Sequence, residues 1–166
     1  MRRSLTGAAL LLVALVTSAA AAICPGDPDI LLQTTDGADG QARIVVGIGG
    51  VSRSFILDTG APLSVLRESV VDELGLQHVP IPLDAISGAT GRPFQEGVIV
   101  PLVEFGSAQR KDVGFLIEPR SHAANGKQAG LIGANLFGPD DLELDFAHHR
   151  IALRAPGSCR PDTMPG

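Results

Sequence analysis

From Ala42 to Asp58 the chain reads ARIVVGIGGVSRSFILD, two β-branched runs on either side of Gly49-Gly50, which predicts a tight hairpin. LRESVVDELGL changes the period: Leu66, Val70, Val71 and Leu74 recur at helical spacing with acids between them, and Gly75 is placed to stop the turn. From Val79 to Pro119 strand patterns return as VPIPLDAI, VIVPLVEF and KDVGFLIEP, with the glycine-rich ISGATGRPFQEG after the first. Pro80 and Pro82 make that first strand an edge or an irregular one. After a polar loop containing Asn125-Gly126, GLIGANLFGPDD offers a short helix closed by Gly138-Pro139. LELDF then alternates, and AHHRIAL supplies a last hairpin partner. Ahead of all this, ICPGDPDILLQTTDGADGQ holds one short apolar run, Ile30 to Leu32, read as a lead-in strand and loop. Frequent short strands, one clear helix and 20 glycines predict a mostly β barrel or sandwich.

The N-terminal stretch stands outside this pattern. MRRSLTGAALLLVALVTSAAAA has a basic start at Arg2 and Arg3, an apolar run from Ala8 to Val16 and small residues at Ala20 to Ala22, the order of a secretory signal peptide over residues 1–22. An uncleaved anchor is the rival reading, but the apolar part is short of the roughly 20 residues a spanning helix needs. Export to a periplasmic or extracellular space follows as an expectation, with no stable membrane insertion. Without Arg2 and Arg3 the basic count falls from 13 to 11 against 18 acids, taking the formal charge from -5 to -7. That balance argues against nucleic acid as a partner. Cys24 and Cys159, near opposite ends of the remaining chain, are expected to pair in an oxidising compartment. The bridge would close 136 residues, counting both cysteines, and contribute about 5 kcal/mol in the chain-entropy model. Free or intermolecular thiols are the alternative.

The residue that asks for chemistry is Asp58. It follows Phe55-Ile56-Leu57, a run apolar on both faces of a strand, and a carboxylate at the edge of a core must find hydrogen bonds, a cation or a second acid to share a proton. Gly60 permits a turn that aims backbone amides at it, and no lysine or arginine lies within four residues on its C-terminal side.

Asp58-Thr59-Gly60-Ala61, with its apolar lead-in and the Leu63-Ser64-Val65-Leu66 that follows, resembles the active-site motif of the retropepsin-like aspartic proteases. The second hallmark of that family, two hydrophobic residues and a glycine, is matched by Leu131-Ile132-Gly133. The resemblance runs over roughly Gln41 to Leu153 and divides the chain into a signal (1–22), a lead-in (23–40), a protease domain (41–153) and a tail (154–166). It implies a closed β-barrel of the acid-protease type with one or two short helices, and an endopeptidase that needs neither metal nor organic cofactor. Asp58 would be the catalytic residue, supported by Thr59, Gly60, Ala61, Leu131, Ile132 and Gly133. The family's flap hairpin would fall on Ser87 to Gly97, with Gly88, Ala89, Thr90 and Gly91 at the tip over a peptide or protein substrate.

Hydrolysis by this route takes two carboxylates around one water, and two carboxyls about 3 Å apart cannot both ionise. The chain holds one Asp-Thr-Gly, so the resemblance implies a homodimer with an Asp58 from each subunit on the two-fold axis. Ala61 offers no hydroxyl donor to the carboxylate, which points to an optimum in mild acid. With no tyrosine in the chain, Phe94 or Arg92 would touch substrate where relatives use a flap tyrosine. The competing reading is a catalytically weak or inactive peptide-binding module of the same fold, and a third a purely structural protein. His148-His149 beside Asp145 reads as a solvated turn rather than a metal site, and Asp36-Gly37-Ala38-Asp39-Gly40 as turns rather than a calcium loop.

Overall fold

The computed structural model describes residues 27–37, 40–82, 86–88, 91–120 and 127–158. Residues 1–22, Cys24 and Cys159 lie outside that set, and so do the expectations of a signal peptide and a disulfide.

The first strand, β1 (Ile30–Asp36), is built from the lead-in. The GG hairpin follows as β2 (Ala42–Ile48) and β3 (Val51–Leu57), turning through Gly49 and Gly50 at φ 61° and 76°. Two consecutive positive φ values are the geometry that lets a two-residue turn follow the strand twist, and glycine adopts them without strain. Ile44, Val46, Ile48 and Phe55 point inward from this pair, as the alternation predicts.

β4 (Ser64–Arg67) leads into α1 (Glu68–Glu73), and β5 (His78–Pro80) is a short edge strand. The helix is shorter than the periodicity suggests. Leu66 is buried from β4, and only Val70 and Val71 are buried from the helix itself. A strand register therefore overrides the helical pattern over its first residues. The long antiparallel pair β6 (Glu96–Phe105) and β7 (Ala108–Glu118) comes next. Its ladder skips Pro101, which has no N–H to give, opposite Asp112 at φ 54°.

β8 (Gly130–Ile132), α2 (Ala134–Phe137), β9 (Asp141–Asp145) and β10 (Arg150–Arg154) complete the chain. The strands run β5-β6-β7-β4-β8-β3-β2-β1-β10-β9, and β2 also pairs with β6 through Gly47↔Glu104 and Ile48↔Val103. That pairing closes β6, β7, β4, β8, β3 and β2 into a six-stranded barrel. β1 bridges barrel and extension: Ile30 to Gln33 pair with β10, Thr34 to Asp36 with β2. The core is filled by Phe55, Phe105, Ile44, Leu66, Ile132, Leu136 and Ile151.

β8 is the insertion that positions the Asp58 loop. It lies parallel to β3, with Ile56↔Leu131 and Leu57↔Ile132, and antiparallel to β4, with Val65↔Leu131 and Leu66↔Gly130. The strand has room only because residue 130 lacks a side chain: a Cβ there would stand 1.9 Å from the Val65 carbonyl oxygen.

The last hairpin departs from the simple strand pair. Phe146–His148 forms a turn of 3-10 helix, with Asp145 capping the His148 amide at 3.1 Å and His149 at φ 53°. The Asp145 carboxylate is also held by Arg150 at 2.7 Å and His148 Nδ1 at 2.8 Å. The Arg150 hydrogen bond is the main cause that takes it from the ordinary 3.8 to about 2; partial burial opposes the shift and His148 adds to it.

Two outcomes follow. Gly130→Ala should lower stability by about 3 kcal/mol or more in urea unfolding, and a wild-type midpoint would contradict the fit of β8. Because the folded Asp145 is more acidic than the unfolded one, its contribution is present above about pH 4 and lost as pH falls through about 2. The stability gap between wild type and Asp145→Asn should close over that window in acid titration of the unfolding midpoint.

Candidate active site

The apolar run of β3 ends at Leu57, and the chain turns sharply. Asp58 N donates to the Ile132 carbonyl at 3.0 Å, the last rung that β8 offers. Ala61 N donates back to Asp58 O at 3.2 Å, and Gly60 N donates to Asp58 Oδ1 at 3.0 Å. Aspartate suits the first position of such a turn because its side chain reaches the backbone amide two residues on. The amides expected to face this carboxylate are thus represented by Gly60. Among the described residues it is the only hydrogen-bond donor on the Asp58 carboxylate.

The burial problem posed by the sequence is absent from the single chain. Asp58, Thr59 and Gly60 are exposed, and Ala61 is half-buried. The carboxylate stands just past the end of a strand in which Phe55 is buried, Arg53, Ser54, Ile56 and Leu57 are half-buried, and Val51 and Ser52 are exposed.

What holds the loop is behind it. Ala134 N donates to Ala61 O at 2.8 Å, and Gly133 N donates to Ser64 Oγ at 3.0 Å. Ser64, wholly buried, gives both its N–H and its hydroxyl to Asn135 Oδ1, each at 2.8 Å. Asn135 Nδ2 in turn donates to Gly114 O at 2.9 Å, tying the loop to β7. Gly133 is required by close approach, since a Cβ there would come within 2.7 Å of Ala61 O. Leu131 is half-buried and Ile132 fully so, flanking the loop from the inserted strand.

The structure brings Asp58, Thr59, Gly60, Ala61, Leu131, Ile132 and Gly133 into one neighbourhood, as their pairing across β3 and β8 requires. Asn135 was not singled out from the sequence. Its signal was a polar residue inside the apolar GLIGANLF, two positions after the glycine.

Between β5 and β6 the glycine-rich stretch folds back on itself. Ser87 bridges Pro93, Gly88 N donates to Arg92 O at 3.0 Å, and Phe94 N to Ile86 O at 2.9 Å. Gly91, at φ 74°, donates to Gly88 O at 2.9 Å. A methyl on Gly88 would meet the Phe94 ring at 3.3 Å. Ala89 and Thr90 lie outside the described residues.

Beside the loop a groove of about 460 Å³ is lined by Leu57, Thr59, Ala42, Leu144 and Phe146, with Asp36 and Gly40. His148 and His149 are spoken for by Asp145 and by Asp36 at 3.6 Å, and among the described residues no group of three or more His, Cys, Asp or Glu could hold a metal ion. No helix among the described residues is long and apolar enough to cross a membrane.

Asn135→Ala would strip two acceptor contacts from the buried Ser64 and one donor from Gly114 O. The expected cost is about 2 to 4 kcal/mol in urea unfolding. A loss under about 0.5 kcal/mol would mean that the network does not hold the loop.

A family model described as aspartyl protease matches residues 41–136. A crystal structure of a retropepsin-like aspartic protease from Rickettsia conorii is similar at 17% identity and TM-score 0.51, covering 76% of this chain and 89% of that one. The retroviral protease-like domain of Ddi1 from Leishmania major aligns at 13% identity and TM-score 0.45, over 68% of this chain and 87% of that domain. No curated protein matches. The matched span runs from the start of the GG hairpin through the Asp58 loop to the Gly133 lock and into α2, and on that match the chain belongs to the aspartyl protease family.

Proposed function

We propose that the protein is an aspartic endopeptidase in which one Asp58 from each of two chains flanks the lytic water. The observation that carries this reading is an exposed carboxylate held by Gly60 on a loop locked from behind, with one Asp-Thr-Gly in the sequence. A single carboxylate cannot both take a proton from water and give one to the scissile carbonyl. Two held about 3 Å apart share one proton and divide those roles.

In the proposed cycle the ionised Asp58 takes a proton from water as the oxygen attacks the peptide carbonyl. The protonated Asp58 of the other subunit donates to the carbonyl oxygen. Collapse of the tetrahedral gem-diol breaks the C–N bond: the first Asp58 passes the proton it took from water to the departing nitrogen, and one hydroxyl returns its proton to the other Asp58. Gly60 N fixes one carboxylate oxygen, so the geometry is set before substrate arrives. The Ile86 to Phe94 hairpin would serve as the flap, with Arg92 and Phe94 toward an extended peptide. Residues 1–22 would direct export, and Cys24 with Cys159 would tie the termini.

A second reading has one observation in its favour: in the single chain Asp58 already serves as a turn cap for Gly60. A monomer with that arrangement would bind peptides without cleaving them.

Asp58→Asn should fold with wild-type stability and lose cleavage of an unstructured protein by roughly a thousandfold or more. The wild-type rate should follow a bell-shaped pH profile with its maximum in mild acid, because one shared proton is needed. Equal cleavage by both proteins would remove the mechanism, and a rate still rising below about pH 3 would remove the pH assignment.

A further inference from the structure

The groove beside the Asp58 loop presents apolar surface to solvent. Leu57 and Leu144 pack on the core from one side and line the groove from the other, and Phe146 stands 57% exposed at its wall. An exposed phenyl ring next to a concave apolar surface is costly to leave in water.

We propose that this groove is the seat of a second copy of the chain, with Phe146 of each subunit entering the groove of the other. The proposal rests on the aspartate-pair reading and names the surface that would assemble the pair. A two-fold axis that brings two Asp58 carboxyls to about 3 Å must pass beside Thr59, the next residue in the chain. Thr59 is part of the groove wall, so that wall faces the second copy. The patch carries both a projecting ring and a hollow, which is what a two-fold interface needs for self-complementarity.

A bound substrate fits this surface less well. Among the described residues, none from the Ile86 to Phe94 hairpin lines the groove. β9 is an outer strand of the sheet, and its Glu143 and Asp145 are already engaged by Arg154 and Arg150 of β10. Phe146 stands at the turn where that strand ends. The turn is fixed by Asp145 through His148 N and Arg150, which orders Phe146 before association.

The test measures dimer dissociation by sedimentation equilibrium, with cleavage assayed on the same samples, for wild type, Phe146→Asp, Phe146→Leu and Ala42→Phe. Phe146→Asp removes the ring from an exposed site, and Ala42→Phe fills the hollow while leaving the ring in place. Each should weaken the dimer by roughly 30-fold or more, with cleavage falling in step and recovering at high protein concentration. Phe146→Leu should stay dimeric. Circular dichroism melts check that each chain is folded; should Phe146→Asp fail to fold, Ala42→Phe and Phe146→Leu decide the matter. If wild type dimerises and cleaves while both disruptive variants dimerise within about twofold of it, this interface is wrong and the peptidase reading stands. If the variants abolish the dimer but wild type cleaves no better than Asp58→Asn, the interface stands and the peptidase reading fails. A wild type that sediments as a monomer at every concentration overturns the proposal.

Discussion

Every feature of the candidate site depends on one insertion. β8, three residues long, wedges between β3 and β4 and hydrogen-bonds to both, parallel to one and antiparallel to the other. It supplies the Ile132 carbonyl that receives Asp58 N and delivers Gly133 and Asn135 to the rear of the loop. The insertion is possible only where two backbones can nearly touch, and glycine at 130 and 133 provides both approaches. Loops are ordinarily the mobile part of a fold, yet this one is anchored at both ends and from behind by hydrogen bonds of 2.8 to 3.0 Å. The outcome is an exposed carboxylate on a rigid base, which is the arrangement that catalysis by positioning requires.

Much of this was legible in the sequence, and the physical reasons are specific. The GG hairpin is written by β-branched runs around two residues that tolerate positive φ, a local signal that needs no tertiary context. The same is true of α2, stopped at Gly138, and of Pro80 on an edge strand. Asp58 stood out because a charge after FIL violates the local pattern, and violations of pattern concentrate where a protein does chemistry.

What escaped the sequence was set by contacts between distant segments. Leu66 fits a helical period, but pairing of β4 with β7 and β8 claims it as strand. LELDFAHHRIAL reads as two alternating strands, yet the Asp145 side chain captures the His148 amide and curls residues 146 to 148 into a 3-10 turn. With Arg150 also on that carboxylate, the turn leaves Phe146, expected in an alternating strand, as an exposed ring in a groove shared with Thr59. Asn135 was missed because its partners, Ser64 and Gly114, lie 71 and 21 residues away. The exposure of Asp58 was hidden for the same reason. An apolar approach suggests burial, but the turn carries the residue out past the last rung of the ladder.

In the proposed mechanism the two reactive carboxylates come from different chains. Mixing tests it directly: a fixed amount of wild type is titrated with the inactive Asp58→Asn protein under conditions where subunits exchange, and cleavage is followed. If each site needs two Asp58 side chains, mixed dimers are dead, and activity per wild-type chain falls in proportion to the wild-type fraction as the variant is added. Activity that depends only on the amount of wild type, whatever the excess of variant, would place the whole catalytic apparatus within one chain and contradict the two-chain mechanism.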